Sequence, residues 1–254
     1  MSGIVKKLEN KVAIVTGGTS GIGKASAQIL ADNGARVVIA GRNRERGMAA
    51  VDEIRNRPST EGDNIVFIPC DVTNETEVVL LIEETVKRFG RIDILFNNSG
   101  IMLPSNEIER MPVQDWNTTF NVNITGTFLV TRYARPYLKE SRGVILNNAS
   151  IAGLHSYATG RSYAYSASKA AVIQFSHQMA KNYAEEGIRV NCICPGIIHT
   201  PILGDRDPEE YVKRIPLGRI GIPEDVAKAV LFLVSEDSGY ITGAVVPIDG
   251  GVAL

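Results

Sequence analysis

Short apolar runs alternate with longer amphipathic segments from one end of the sequence to the other. Each apolar run stays apolar at consecutive positions instead of alternating with polar residues, as in VAIVTG (12–17) and RVVIAG (36–41). Strands of this kind are buried on both faces, which is typical of a parallel sheet covered by helices on each side. The predicted strands are 12–17, 36–41, 65–70, 92–97, 143–150, 188–196 and 244–250, and the predicted helices are 21–33, 44–57, 75–89, 112–138, 165–186 and 223–235.

The order of these elements predicts the fold class. Strands separated by helices form parallel sheets with right-handed crossovers, so we expect an α/β fold with a doubly wound parallel sheet and helices on both faces. Neither a linker nor an internal repeat interrupts the 254 residues, and a single domain is therefore predicted for 1–254. Ligands of such sheets bind beyond the carboxyl ends of the strands, so the residues that follow each strand are the candidates for function.

Charge and composition narrow the range of partners. The formal net charge is −1 and no run of basic residues occurs, so neither nucleic acid nor an anionic membrane is predicted as a partner. The first ten residues lack the apolar core of a secretory signal, and no apolar run approaches the roughly 20 residues of a membrane span. A soluble, cytoplasmic protein is expected.

The cysteines and histidines indicate neither a disulfide framework nor a metal site. Cys70, Cys192 and Cys194 all lie in apolar, strand-like runs, which favours buried reduced thiols. The three histidines are far apart and lack the spacing of metal ligands, so no metal is predicted.

A glycine-rich sequence, TGGTSGIG (16–23), follows the first strand directly and opens the first helix. Gly17 permits a tight turn, and Gly21 and Gly23 leave room for a pyrophosphate to approach the N–H groups at the helix N-terminus. The spacing is G-x-x-x-G-x-G and differs from the general G-x-G-x-x-G fingerprint. A turn without a ligand is the alternative, but the strand–loop–helix context favours binding of a dinucleotide.

The end of the second strand is where a dinucleotide fold meets the adenosine ribose. An acidic residue there binds the 2′-hydroxyl of NAD, whereas a cation accepts the 2′-phosphate of NADP. The sequence continues from Gly41 into Arg42, Asn43 and Arg44 without an acid. Since arginine binds phosphate in a bidentate manner, Arg42 predicts NADP as the cofactor, the alternative being a solvated charge on a turn.

A tyrosine and a lysine four residues apart, Tyr165 and Lys169, begin the predicted helix 165–186. Residues i and i+4 share a helix face, so this tyrosine has a cation beside it, whereas Tyr163 has an alanine at that spacing. Tyr157 has an arginine four residues on, but the two lie in a glycine-containing stretch that is typical of a loop. Spacing alone is weak support for chemistry, and among these tyrosines it favours Tyr165 as an acid.

Eight short motifs together resemble the short-chain dehydrogenase/reductase family over nearly the whole chain. The resemblance implies a Rossmann-like sheet of about seven strands and hydride transfer between a nicotinamide and a carbon that bears oxygen. The motifs are TGGTSGIG (16–23), CDVT (70–73), NNSG (97–100), NVNITG (121–126), NNAS (147–150), YSASK (165–169), CPGIIHT (194–200) and IDGG (248–251).

The resemblance assigns catalytic roles to four residues. Tyr165 resembles the general acid and base, and Lys169 the cation that lowers the pKa of that tyrosine and binds the nicotinamide ribose. Ser150 resembles the serine that hydrogen-bonds the substrate oxygen, and Asn123 resembles the asparagine that holds a water linking the lysine to solvent. A strand-end hydroxyl and a helix amide are the structural alternatives for these two.

The resemblance also implies a set of cofactor contacts. Asp71 is expected to receive the adenine amino group, and the segment after Pro195 and Gly196 is expected to hold the carboxamide. Asn97 is interpreted instead as a structural residue that ties neighbouring strands. The cofactor positions are Gly17, Ser20, Ile22, Arg42, Asp71, Val72, Asn98, Tyr165, Lys169, Ile198 and Thr200.

Two departures from the family pattern bear on the site. Ser99 stands where the family usually has alanine, a small change that we expect to be tolerated. The interval from Ser150 to Tyr165 is 15 positions, which is longer than usual, and the loop 153–162 absorbs the difference. Because this loop borders the expected pocket, His155 and Tyr157 are candidate substrate contacts.

The sequence around the expected pocket is mostly apolar, and the segment of about 201–216 is the variable substrate segment. This favours a hydrophobic secondary alcohol or ketone, steroid-like, terpenoid or cyclic, over a sugar. A 3-oxoacyl thioester reductase is the nearest alternative, and a catalytically silent NADP-binding sensor is the alternative from another class. The apolar set consists of Ile101, Met102, Leu103, Leu154, Ile197, Ile202 and Leu203, with Tyr211 beside them.

A homotetramer is expected from the resemblance. Family members pair through two long helices, here 112–138 and 165–186. Small residues on the second helix, such as Ala167, Ala170 and Ala171, permit close approach. The alternative places these alanines against their own sheet.

Overall fold

A parallel sheet of seven strands forms the centre of the fold. The computed structural model describes residues 6–57, 64–103, 107–155, 162–203 and 208–254. The strands are β1 (Val12–Thr16), β2 (Arg36–Gly41), β3 (Ile65–Pro69), β4 (Ile94–Asn97), β5 (Val144–Asn148), β6 (Arg189–Pro195) and β7 (Val245–Ile248). Their order across the sheet is β3-β2-β1-β4-β5-β6-β7, and neighbouring strands are parallel. The predicted doubly wound, Rossmann-like fold is confirmed.

The direction of the strand order reverses between β1 and β4, because the chain leaves β3 at one edge and returns to the other side of β1. Ile14 of β1 lies opposite Leu95 of β4 in this pairing. A crevice opens beyond the carboxyl ends of the strands at such a switch point. The residues that follow β1 and β4 therefore face a common space.

Helices connect the strands. They are α1 (Gly21–Asp32), α2 (Arg44–Arg55), α3 (Glu75–Phe89), α4 (Val113–Phe120), α5 (Gly126–Ser141), α6 (Tyr163–Tyr183), α7 (Pro208–Val212) and α8 (Pro223–Val234). The sequence predicts one helix over 112–138, whereas a π-helical turn at Asn121–Thr125 separates α4 from α5. Helix α6 begins two residues before the predicted position, and α7 is not predicted by the apolar pattern.

Burial shows that helices cover both faces of the sheet. All residues of β1 are buried, which explains why this strand is apolar throughout. Ala13 and Val15 pack in a cluster that includes Leu30 of α1 and Val230 of α8. Ile14 points to the other face and packs in a cluster with residues of α3, α5 and α6.

Helix α3 shows how individual residues define the ends of an element. Asn74 is the N-cap, and its Oδ1 accepts hydrogen bonds from the N–H groups of Thr76 and Glu77 at 3.1 and 3.3 Å. Gly90 ends the helix with a φ of 78°, a left-handed conformation that glycine adopts without strain. The following strand, β4, then starts at Ile94 beside β1.

The cysteines are all buried with free thiols, as predicted. None of the described helices combines the length and the apolar character required to cross a membrane. The described residues also bring together no three His, Cys, Asp or Glu side chains that suit a metal ion.

Candidate active site

A cavity of about 590 Å³ lies beyond the carboxyl ends of the strands, at the switch point between β1 and β4. All of the residues predicted to bind the cofactor line this cavity, and so does Ser150. Its wall consists of the residues that follow β1 to β6, which is where a doubly wound sheet binds its ligands. Asn123 is the predicted catalytic residue that does not line it.

The glycine loop, 17–23, forms one wall of the cavity. Gly17 and Gly21 have φ angles of 63° and 51°, in the left-handed region that favours glycine. A Cβ on Gly23 would lie 2.3 Å from the Gly17 carbonyl oxygen, so no side chain fits there. Ser20, the N-cap of α1, makes no side-chain cap bond, which leaves N–H groups of the first turn available to an anion. The loop therefore fits the pyrophosphate of a dinucleotide.

Asn98 holds the glycine loop from the neighbouring strand. Its Nδ2 donates to the carbonyl oxygens of Thr16 and Gly17 at 3.0 and 3.2 Å. In return, Thr16 Oγ1 accepts from the N–H groups of Asn98 and Ser99 at 3.0 and 3.1 Å. Asn98 is predicted as a cofactor contact, and the structure shows that it also shapes the loop. Thr16 is the last residue of β1, and its position at the end of this strand is the signal in the sequence that points to such a role.

Asn97 ties neighbouring elements together, as predicted. Its Nδ2 donates to Thr131 Oγ1 at 3.0 Å and to Asn147 Oδ1 at 2.9 Å. Asn147 Nδ2 in turn donates to Ser176 Oγ at 2.8 Å. These buried bonds join β4 and β5 to α5 and α6, and they fix the strand ends that carry the site.

Tyr165 lies on the first turn of α6, and the side chain of Ser150, which follows β5, lies near its phenol. Burial raises the pKa of Tyr165 above its ordinary value, while the Ser150 side chain acts in the opposite direction. The expected net lowering of this pKa is not found, because burial is the largest influence; the contribution that the resemblance assigns to Lys169 stays a prediction. The phenol is therefore protonated at neutral pH.

Lys169 lies one turn further along α6, and its side chain is buried. Its Nζ donates to the main-chain carbonyl of Asn148 at 2.7 Å and lies 5.7 Å from the centroid of the Tyr165 ring. Burial lowers the pKa of Lys169 to about 8. A Cβ on Gly100 would lie 3.1 Å from Nζ, so the absence of a side chain at Gly100 leaves space for the ammonium.

Asn123 lies in the π-helical turn and connects two other segments. Its Oδ1 accepts from the Ile101 N–H at 2.8 Å, and its Nδ2 donates to the Ile101 carbonyl at 3.0 Å. The same Nδ2 donates to Ser168 Oγ at 2.9 Å, and Ser168 donates to the Tyr165 carbonyl at 2.7 Å. Both ends of the amide are engaged, so Asn123 positions Ile101 and the first turn of α6. Its contact with a water stays a prediction.

The turn after Ser150 packs directly against the backbone of α6 at Gly153. A Cβ on Gly153 would lie 2.7 Å from the carbonyl carbon of Lys169 and from the N atom of Ala170. Both are main-chain atoms, so neither moves without a shift of the helix. Gly153 therefore permits the close approach that places Ser150 beside α6. Nothing in the sequence distinguishes Gly153 from other loop glycines.

The end of β2 and the start of α2 also line the cavity, through Gly41, Arg42, Asn43 and Arg46. A Cβ on Gly41 would lie 2.9 Å from Thr19 Cγ2 of the glycine loop. Arg46 is a lining residue that the sequence analysis misses, because it lies inside α2 rather than directly after the strand.

Asp71, which follows β3, is held by its own turn. Its Oδ1 accepts from the N–H and the hydroxyl of Thr73 at 2.9 and 2.8 Å, and its N–H donates to Glu77 Oε2 at 2.7 Å. These bonds orient the Asp71 carboxylate at the cavity wall. A contact with the adenine amino group stays a prediction.

The apolar residues predicted around the pocket divide into two groups. Leu154 and Ile197 do not line the cavity, because they pack against a buried cluster that includes Ile151 and Val172. Tyr211 does not line it either, and Tyr157 lies outside the described residues. His155 lies within the described residues and is exposed, but it does not line the cavity. The apolar wall consists of Ile101, Met102, Leu103, Ile202 and Leu203.

Comparison with known proteins gives matches over almost the whole chain. Residues 17–253 match the family model described as enoyl-(acyl carrier protein) reductase. The chain is 39% identical over 252 residues to the 3-oxoacyl-[acyl-carrier-protein] reductase FabG of Thermotoga maritima, covering 98% of this chain and 100% of the relative. It is 38% identical over 251 residues to the (2S)-[(R)-hydroxy(phenyl)methyl]succinyl-CoA dehydrogenase subunit BbsD of Thauera aromatica, covering 97% of this chain and 98% of the relative.

The crystal structure of levodione reductase shows the same fold. It matches with a TM-score of 0.90 and 32% sequence identity, over 97% of this chain and 98% of the other. The relatives and the solved structure therefore agree with the fold and with the oxidoreductase chemistry that the motifs imply.

Proposed function

The chain belongs to the short-chain dehydrogenase/reductase family of oxidoreductases, and from that premise we propose that it reduces a 3-oxoacyl thioester to the 3-hydroxyacyl thioester with NADPH. The observation that supports catalysis is the placement of Ser150 and Tyr165 together at the wall of the cavity, with the buried Lys169 one turn along α6. A nicotinamide bound in the cavity would supply the hydride. Tyr165, Ser150, Lys169 and Asn123 are the residues that we assign to the reaction.

The protonation state of Tyr165 suits the direction of reduction. A carbonyl that accepts a hydride develops negative charge on oxygen, and a protonated phenol in contact with that oxygen donates the proton. Ser150 donates a second hydrogen bond to the same oxygen and so orients it. The Lys169 cation, close to the Tyr165 ring, stabilises the phenolate that remains.

The choice of NADP(H) rests on Arg42. Arg42 lines the cavity at the end of β2, where the adenosine ribose lies in dinucleotide folds. The residue before it, at position 41, is a glycine and not an acidic residue. An acid at this position would repel a 2′-phosphate, whereas a guanidinium binds it.

The substrate class rests on the relatives, and it replaces the steroid-like alcohol or ketone that the sequence analysis favours. The names of FabG and BbsD both specify thioesters, of an acyl carrier protein and of coenzyme A. A hydrophobic cyclic ketone is the second candidate, because five apolar side chains line the cavity and levodione reductase has the same fold.

The experiment that tests the substrate class is a measurement of NADPH oxidation with a panel of ketones. We expect kcat/KM for acetoacetyl-CoA to exceed that for a cyclic diketone and a ketosteroid by about tenfold or more. Higher efficiency on the cyclic ketones would contradict the thioester proposal and favour the second candidate. NADPH binding without turnover of any compound would favour the catalytically silent sensor.

Assembly as a homotetramer is part of the proposal. Phe128 of α5 is 43% exposed and packs edge to face against Phe175 of α6, so an apolar surface spans both long helices. On α6, Ala170 is exposed, and Ala167 and Ala171 are half-buried. These alanines are therefore accessible to a second copy of the chain. The cytoplasmic location stays a prediction.

A further inference from the structure

We propose that Arg46 is a second cation for the 2′-phosphate of NADP(H) and acts with Arg42 to determine cofactor specificity. This inference rests on the NADP(H) preference proposed above and extends it to a residue inside helix α2.

The placement of the arginines distinguishes Arg46 from its neighbour. The segment after β2 carries Arg42, Arg44 and Arg46 within five positions, and all three side chains are exposed. Arg42 and Arg46 line the cavity, whereas Arg44 does not. Both Arg42 and Arg46 therefore border the cavity beside the end of β2, where the ribose of the adenosine is expected.

The main chain of Arg46 is held in place by two contacts. Asn43 caps α2, and its Oδ1 accepts from the Arg46 N–H at 2.8 Å. The next residue, Gly47, is buried against β3, where a Cβ would lie 2.2 Å from the ring of Phe67. The first turn of α2 therefore packs closely on the sheet, and the cap bond and this packing together position the main chain from which the Arg46 side chain extends.

Arg42 and Arg46 differ from other cations of the chain in their charge partners. Lys24 pairs with Glu53 at 2.7 Å, and Arg57 pairs with Asp32 at 3.8 Å. Within the part of the chain that the structure describes, neither Arg42 nor Arg46 forms an ion pair. Two unpaired guanidiniums at one cavity wall suit a dianionic phosphate monoester.

Binding measurements with matched variants test the role of Arg46. Dissociation constants for NADPH and NADH are measured with the full-length protein and with Arg46→Ala, Arg42→Ala and Arg44→Ala. We expect Arg46→Ala to reduce the ratio of NADPH to NADH affinity by about tenfold, the range of one charge-assisted hydrogen bond. Arg44→Ala is the control, because the same charge is removed from the same turn outside the cavity, and we expect a change below about twofold.

Fragments of the cofactor separate the phosphate from the rest of the molecule. Adenosine 2′,5′-bisphosphate and ADP are compared as competitors of NADPH, and Arg46→Ala is expected to weaken only the 2′-phosphorylated compound. An unchanged ratio in Arg46→Ala, or equal losses in Arg46→Ala and Arg44→Ala, would overturn the inference. If the unmodified protein shows no preference for NADPH, the proposed cofactor itself fails. If the preference exists and only Arg42→Ala removes it, the failure belongs to Arg46 alone.

Discussion

Lys169 Nζ donates a 2.7 Å hydrogen bond to the main-chain carbonyl of Asn148, the last residue of β5. The Asn148 side chain donates to Asn98 Oδ1 at 2.9 Å, and Asn98 holds the glycine loop. One strand end is thus connected to the cation of the catalytic group and to the loop that fits a pyrophosphate. The two parts of the site are coupled through Asn148.

The buried Lys169 predicts a specific dependence of stability on pH. Its pKa is about 8 in the folded protein and about 10.5 in an unfolded chain, so between these values the unfolded state binds the extra proton. Stability therefore increases as pH rises through this range, and below pH 8 burial of the charged form costs roughly 3 kcal/mol. At pH 7, the free energy of unfolding of Lys169→Met should equal or exceed that of the unmodified protein. This difference in favour of Lys169→Met should become smaller towards pH 10.

Urea unfolding of Lys169→Met at pH 7, 8.5 and 10 checks this expectation. Lys181→Met is the control, because Lys181 lies exposed on the same helix. A difference in unfolding free energy between Lys169→Met and the unmodified protein that does not change with pH would contradict the lowered pKa.

Replacing Tyr165 with phenylalanine should reduce kcat by about a hundredfold or more, the scale of general acid–base catalysis. NADPH binding and thermal unfolding should change little, because the ring and its packing remain. Tyr163→Phe is the matched control, since Tyr163 lies on the same turn, is 38% exposed and does not line the cavity. Loss of activity in Tyr163→Phe with retention in Tyr165→Phe would reverse the assignment.

Two glycine substitutions should separate effects on folding from effects on chemistry. Gly153→Ala places a Cβ 2.7 Å from main-chain atoms of α6, so we expect a loss of about 2 kcal/mol in unfolding free energy together with a loss of activity. Gly100→Ala meets the end of the flexible Lys169 side chain at 3.1 Å, so stability should change by less than about 1 kcal/mol while kcat falls. Urea denaturation and steady-state kinetics on both variants check the contrast, and equal destabilisation by the two would contradict it.

The end of β2 should control the choice of cofactor. Gly41→Asp combined with Arg42→Ala is expected to reverse or erase a ten- to hundredfold preference for NADPH, about 1.5–3 kcal/mol. Because a Cβ at position 41 would lie 2.9 Å from Thr19 Cγ2, adding Thr19→Ser should improve NADH use by the double variant. Ratios of kcat/KM for the two cofactors measure this, and a preference for NADH in the unmodified protein would show that Arg42 is only a solvated turn residue.

Light scattering at micromolar concentration should show a homotetramer. Phe128→Glu introduces a charge into the apolar surface on α5 and α6 and should give smaller assemblies. Leu80→Glu is the control, because Leu80 is an exposed apolar residue on a different helix, α3. A monomeric unmodified protein would reject the prediction.

The apolar pattern was sufficient to predict the sheet, because strands that are buried on both faces must be apolar at every position, as Val12–Thr16 is. The motifs also predicted the cofactor residues, all of which line the cavity, whereas the motif residue Asn123 does not. The π-helical turn at Asn121–Thr125 was missed, because the spacing of apolar residues does not change between this turn and the flanking helices. The raised pKa of Tyr165 was missed because it depends on burial, which the spacing to Lys169 does not reveal.

Arg46 and Gly153 illustrate a second limit. Each acts through an element distant in sequence, Arg46 through the packing of α2 on β3 and Gly153 through the backbone of α6. Residue type and local spacing do not show which distant segments a residue contacts in the folded protein. Leu154 is a further example. The sequence predicts it at the pocket, but it packs against a buried cluster whose residues lie on other elements.

The bonds between Asn98 and the Thr16–Gly17 backbone have a consequence for how the protein folds. They join residues about 82 positions apart, so the glycine loop takes its shape only after β4 has paired with β1. A fragment that ends before residue 94 would contain every glycine of the loop and lack the amide that holds it. Contacts of such long range form late and slowly. Nucleotide affinity during refolding should therefore appear with the closure of the sheet rather than with the first βαβ unit.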